Sequence, residues 1–243
     1  ADRIYQINLA IAGIAVGTVS LPALSKAFKN KNIKKLSNIQ SKSFELSLLL
    51  SIPASLGLIL ASEEIVNSLF GYGSFSEKDV KLTADALKYF GYGVPAFALV
   101  KILSNFFFAR DNTKTPLYIS IFMVIINISI SVSLFASYGF IIIPIATSIS
   151  TWIGVLIYIY LLNEKNSLLL NKKLIPNFIK ILTSTIIMSI IMVLLINNYE
   201  SYLNYSYKFK AIYLLSIVGF VGIVYLLSCY LFGILKLKDY KTN

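Results

Sequence analysis

Histidine is absent from this 243-residue chain, and cysteine occurs once, at Cys229 inside an apolar run. An internal disulfide, a Cys/His zinc site and histidine-based acid–base catalysis are therefore excluded. Charge is also scarce, at 14% of residues against roughly 25% in a soluble domain. Strand-like alternation is missing as well, because the apolar runs are too long and too unbroken for sheet. What is present is hydrophobicity: 57% of residues are apolar and the mean hydropathy is +0.75. These values describe an all-α integral membrane protein.

Seven runs have the roughly 20-residue length that a helix needs to cross the hydrocarbon of a bilayer. They cover approximately 4–27, 43–61, 88–109, 117–137, 140–162, 176–197 and 210–233. An amphipathic lead-in, Glu77 to Lys88, is expected to lie at the interface before the third run. Turn chemistry separates the runs at Gly71–Ser74, Asp111–Thr113, Tyr138–Gly139 and Asn163–Asn166. The chain opens directly on a membrane run without a charged leader, and we read it as the C-terminal part of a longer protein.

Lysine placement sets an orientation. Fifteen of the basic residues fall on one set of alternate connections and five on the other. The richer side is expected in the cytoplasm, which puts the N-terminus outside and the C-terminus inside. The net charge of +11 is accounted for by residues flanking spans against anionic headgroups, so no nucleic-acid partner is expected.

Several side chains stand out against this apolar background. Arg3, Gln6, Ala10, Gly13, Gly17 and Ser20 share one helical face, and a guanidinium there calls for protein interior, water or an anion. Gly13 and Gly17 form a small-xxx-small pair suited first to close helix packing. Lys101 sits about eight residues inside the third run, with Asn105 one turn further along the same face. Asn127, Ser131, Thr147 and Ser148 place oxygens in the fourth and fifth runs. Asn127 and Thr147 are weak candidates for a sodium site, because neither run holds a carboxylate and interhelical hydrogen bonding is the simpler reading. Glu63 and Glu64 read as solvated loop charge.

Three segments together carry a family resemblance. They are Ala1–Gln6 running on through Gly13–Thr18 to Leu21–Ser25, Ser68–Phe75, and Lys101 leading to Phe108–Pro116. In order and spacing they resemble the MurJ (MviN) lipid II flippases of the MOP exporter superfamily. The resemblance implies half of a fourteen-helix transporter: a C-lobe bundle of five helices over 1–162, and two additional C-terminal helices over 163–243. It implies a non-enzymatic role, alternating-access flipping of lipid II across the bacterial inner membrane for peptidoglycan synthesis, with no cofactor. The implied partners are lipid II, membrane lipids and the N-terminal lobe of the same protein. It maps the family's cavity arginine onto Arg3, gives the turn Arg110, Asp111 and Thr113 a gating role, and has the last two helices guide the polyprenyl tail; Gln6, Gly13, Gly17 and Lys101 join Arg3 as candidate cargo contacts from their own placement.

Two other classes compete. A related polysaccharide-lipid flippase or drug/cation antiporter shares the fold, and an antiporter would need a carboxylate buried in a span, to which Asp2 at the edge of the first is the nearest approach noted. A membrane-embedded lipid-linked glycosyltransferase would need paired carboxylates or a metal near an interface.

Overall fold

A computed structural model of the chain describes Arg3, Ile4, Gln6, Gly13 and residues 16–235. Its helices are α1 (Val16–Lys29), α2 (Ile33–Leu60), α3 (Ser62–Phe70), α4 (Glu77–Phe108), α5 (Lys114–Tyr138), α6 (Ile142–Glu164), α7 (Leu174–Asn198), α8 (Glu200–Leu203) and α9 (Lys210–Leu231). No strand occurs among the described residues.

Five stretches are long and apolar enough to cross a membrane: α2, α4, the run Lys114–Glu164, α7 and α9. The run Lys114–Glu164 is two crossings. Gly139, at φ +62°, ends α5, and a 3₁₀ turn over Gly139–Ile141 leads into α6. Asn127 Nδ2 then donates to Thr147 Oγ1 at 2.9 Å, although a straight helix would hold the two about 30 Å apart. Six of the seven expected crossings are therefore seen, and α1 is the second half of the first, whose residues 5, 7–12, 14 and 15 lie outside the described set.

Two boundaries differ from the sequence reading. Helix α2 starts at Ile33, ahead of position 43, because Asn32 caps it by accepting from the Lys35 amide at 2.9 Å. The lead-in Glu77–Lys88 is not a separate interfacial segment but the opening turns of α4. Ser76 and Asp79 form a reciprocal capping box there, and bonds from the Ser76 hydroxyl and amide hold the Asp79 carboxyl below its ordinary pKa. Val80, Ala84 and Leu87 share one face and are buried against Leu58 of α2 and Val66 of α3. The short helix α3 supplies an apolar partner that was not expected from the sequence.

Prolines decide how the long helices bond to one another. Each lacks an N–H and so frees the carbonyl four residues earlier, which hydrocarbon leaves unpaired unless a neighbour supplies a donor. Pro95 frees Gly91 O, which accepts from Ser55 Oγ of α2 at 2.7 Å. Pro53 frees Leu49 O, which accepts from the Tyr225 hydroxyl of α9 at 2.7 Å. Helix α6 bonds to α4 nearby, with Ser148 Oγ donating to Tyr89 O at 2.7 Å and Trp152 Nε1 to Tyr92 O at 3.0 Å. At Gly91 a Cβ would lie 2.9 Å from Ile59 Cγ1, so glycine permits this approach of α4 to α2.

The two ends of the bundle are tied differently. At the lysine-rich end, residues 165–173 cross between α6 and α7 as a strap bonded to the first turns of α2. Fully buried Gln40 donates to Ser167 O at 3.1 Å and accepts from Leu169 N at 2.8 Å, while Ser41 Oγ accepts from Asn171 N at 2.7 Å. At the opposite end, the fully buried Lys210 ammonium donates to Asn67 Oδ1 at 2.9 Å, Gly71 O at 2.6 Å and Tyr205 O at 2.9 Å. The rings of Tyr72 and Tyr205 lie 4.2 and 4.8 Å from it. All three of its protons are used, and α9 is pinned to the turn after α3. A Cβ on Gly71 would fall 2.3 Å from Asn67 Oδ1 and 3.0 Å from the Lys210 Nζ, so that turn has no room for a side chain.

Tyr225→Phe is expected to cost about 1 kcal/mol by leaving Leu49 O unpaired. Lys210→Met strands three oxygens at once and should cost about 2–4 kcal/mol. Thermal unfolding of the purified protein in detergent measures both, and a Lys210→Met protein as stable as the parent would show that the cage does not hold α9.

Candidate functional site

Of the residues proposed from sequence, Gly17, Lys101 and Asn105 are brought together. Asn105, buried on α4, donates from Nδ2 to Gly17 O at 2.8 Å, and Ser20 Oγ donates to the same carbonyl at 3.2 Å. A Cβ on Gly17 would stand 3.1 Å from Asn105 Nδ2 and 3.4 Å from Lys101 Cγ. The methylenes of Lys101 thus lie along Gly17 while the residue as a whole is exposed. Gly17 acts here through close helix packing, and Gly13 is buried.

Arg3 is exposed. Its neighbour Ile4 packs against the Val80, Ala84, Leu87 and Phe90 cluster, at the end of the bundle opposite the lysines. Gln6 is half-buried and engaged in an interaction of its own.

The turn after α4 is built by hydrogen bonding. Arg110 donates from Nη1 to Phe106 O and from Nη2 to Ser167 O at 2.8 Å, and its guanidinium lies 5.5 Å from the Phe28 ring centroid. It joins α1, α4 and the 165–173 strap, and burial lowers its pKa from the ordinary guanidinium value. Asp111 takes a left-handed backbone, φ +57°. Thr113 sits at the N-cap of α5 without a side-chain cap bond, and the capping acceptor is Asn112 Oδ1, which takes the Thr115 amide at 3.1 Å.

Asn127 and Thr147 also meet, but as partners of each other. Thr147 Oγ1 accepts from Asn127 and donates to Ile143 O at 2.7 Å. Ser148 leaves that set to bond α4. Glu63 and Glu64 are not loop charges: they occupy the first turn of α3, and Glu64 is half-buried. Glu45, half-buried within α2, is a carboxylate inside an expected span that the sequence reading passed over. Among the described residues no group of three or more carboxylates or cysteines is placed to hold a metal ion.

An apolar groove of about 530 Å³ opens between α2, α7 and α9. Leu49, Pro53, Met188, Met192, Val221 and Tyr225 line it, together with Gly57, Gly219 and Gly222. At each of these three glycines an added Cβ would meet nothing within 4 Å, so hydrogen in place of a side chain keeps the groove open. Exposed apolar side chains continue along α5, α7 and α9, as lipid contact requires.

A bundle of long apolar helices, bonded through proline-freed carbonyls and carrying a lateral apolar groove, defines a multi-pass α-helical membrane protein, and its fold is that of the MOP-type transporters. The sequence profile of the family described as Lipid II flippase MurJ matches residues 1–216, and the chain belongs to that family. A probable lipid II flippase MurJ of Rickettsia prowazekii is 38% identical over 235 residues, covering 94% of this chain and 46% of that relative. One of Rhizobium meliloti is 39% identical over 157 residues, covering 65% of this chain and 29% of its own length. A solved structure of lipid II flippase MurJ in an inward closed conformation superposes with a TM-score of 0.76 at 25% identity, covering 95% of this chain and 45% of that one. The chain spans less than half the length of these relatives.

Gly17→Ala should be tolerated with a small loss, since Asn105 must move by a few tenths of an ångström, whereas Gly17→Leu should force α1 away from α4. Thermal unfolding of the purified protein in detergent reports the loss. A Leu variant as stable as the parent would mean that this contact is not tight.

Proposed function

We propose that the chain forms one lobe of a lipid II flippase together with its two additional helices, in the bacterial inner membrane with the lysine-rich end in the cytoplasm. The observation that carries this reading is the open, glycine-lined apolar groove in a member of the MurJ family. Lipid II joins a long polyprenyl chain to a pyrophosphate-linked headgroup, so its transporter needs an apolar track and a cationic, polar cavity at once. Residues 1–162 supply the lobe. Residues 163–243 supply the helix pair that, with α2, walls the track.

The pyrophosphate is a multivalent anion that cannot cross hydrocarbon unaided. Arg3 offers the forked donors that match two phosphate oxygens together, which a lysine ammonium does not. Arg3 is exposed and so open to a cavity completed by the N-terminal lobe, with Gln6 three residues on. Lys101, exposed beside Gly17, supplies a second cation nearer the cytoplasm, and the Asn105 bond holds the two helices in register. Rocking of the two lobes about such a midplane site is the general solution for alternating access. In that motion Arg110, which bonds α4 to the strap, is placed to carry movement at the cytoplasmic end to α7.

In the full-length protein, as the only flippase in the cell, Arg3→Ala is expected to abolish growth, with Arg3→Lys failing to restore it at equal membrane abundance. Gly222→Trp should fill the groove and reduce lipid II transport at least tenfold while leaving thermal stability near that of the parent. Normal growth of Arg3→Ala would remove Arg3 from the cargo site, and full transport by Gly222→Trp would remove the groove from the tail's path.

A further inference from the structure

At the end of the bundle opposite the lysines, a cavity of about 420 Å³ lies on the junction between the lobe and the additional helices. Glu63 and Glu64 of α3 face it from one side, Glu77 and Lys81 of α4 from another, and Glu200 of α8 from the third. Asn67 and Tyr205 complete its polar wall. Four carboxylates thus meet across a seam whose lining holds one cation, Lys81. The Lys210 ammonium is close but committed, since Asn67, Gly71 and Tyr205 take its three protons.

We propose that this seam is a proton-sensitive junction. When Glu64 is ionised its charge is repelled by those of Glu63 and Glu200 and α8 stands off from α3; when Glu64 is protonated the repulsion is relieved and the junction closes about the fixed point at Lys210. The proposal stands on the placement of like charges around one cavity on elements remote in the chain, α3, α4 and α8. Burial, as the largest cause, raises the Glu64 pKa above its ordinary value; a backbone hydrogen bond opposes this, and the charges of Glu63 and Glu200 add to it. The sign follows. A carboxyl whose pKa is raised in the closed junction stabilises that junction below the ordinary carboxylate pKa, and the stabilisation is lost as pH rises through the raised value. Acid closes the seam and neutral pH loosens it.

The consequence reaches the groove, because α7 and α9 form two of its walls and α8 lies between them. A change in the stand-off of α8 tilts α7 against the Lys210 anchor and alters the width of the track. This last step rests on the function proposed above, whereas the junction's response to protons does not.

The test uses the full-length protein in lipid nanodiscs, with Cys229→Ala and spin labels on Lys78→Cys and Ser201→Cys, both exposed positions. As the pH falls from about 8 to about 4, to just below the ordinary carboxylate value, the inter-label distance should shorten and its distribution narrow. Glu64→Gln with Glu200→Gln should hold the short distance at both values. A pH-independent distribution in the parent, or a full response in the double variant, overturns the proposal. On the unaltered chain, a hydrophobic carbodiimide, which labels protonated carboxyls, should modify Glu64 in the folded protein to a higher pH than it modifies the same residue after denaturation; identical pH dependence overturns it equally. Neither readout involves lipid II, so failure of the flippase reading leaves both intact.

Discussion

In hydrocarbon there is no water to take up a carbonyl that a proline has freed, and the bundle is organised around that constraint. Pro53 and Pro95 each release one carbonyl, and each is answered by a hydroxyl from a different helix: Tyr225 for Leu49, Ser55 for Gly91. The first bond joins α9 to α2 and the second joins α2 to α4. Helix packing in lipid has no hydrophobic drive of its own, so such bonds and close small-residue contacts carry the specificity. The same logic explains Gly17, whose carbonyl takes Asn105 and whose missing side chain admits the methylenes of Lys101.

The additional helices are held at both ends by polar chemistry and in the middle by apolar contact. Gln40 reads the donor and acceptor of an extended strap at one end, and Lys210 sits in a cage of three oxygens and two rings at the other. Between them Ile181, Met188, Ile217 and Cys229 form a core with Leu49 of α2. That arrangement leaves the groove beside this core open, because its glycines present no side chains to close it.

Much of the molecule was legible in the residues. Run length and the absence of alternation identified the membrane helices, since both depend only on the thickness of hydrocarbon and the period of a helix. The face shared by Lys101 and Asn105 and the packing role of Gly17 also followed from spacing; interhelical hydrogen bonding was expected of Asn127, Ser131, Thr147 and Ser148, but which of them pair was not. The second half of the seam did not. Glu63 and Glu64 looked like loop charge because α3 is short and flanked by turn residues, and nothing in the local sequence tells that Glu200, more than a hundred positions away, will face them. Lys210 looked like a flanking lysine, and its burial depends on a glycine turn contributed by another part of the chain.

By itself the sequence determined the solvent, the six crossings seen among the described residues, the lysine-rich end and the family motifs, because each is set by local composition and short-range period. The tertiary structure decided which donors answer the carbonyls freed by proline, that Asn112 rather than Thr113 caps α5, that the Glu77–Lys88 segment continues α4, and that four carboxylates converge around one cavity. Those outcomes rest on distances between residues remote in the chain, and such distances are fixed only when the helices have packed.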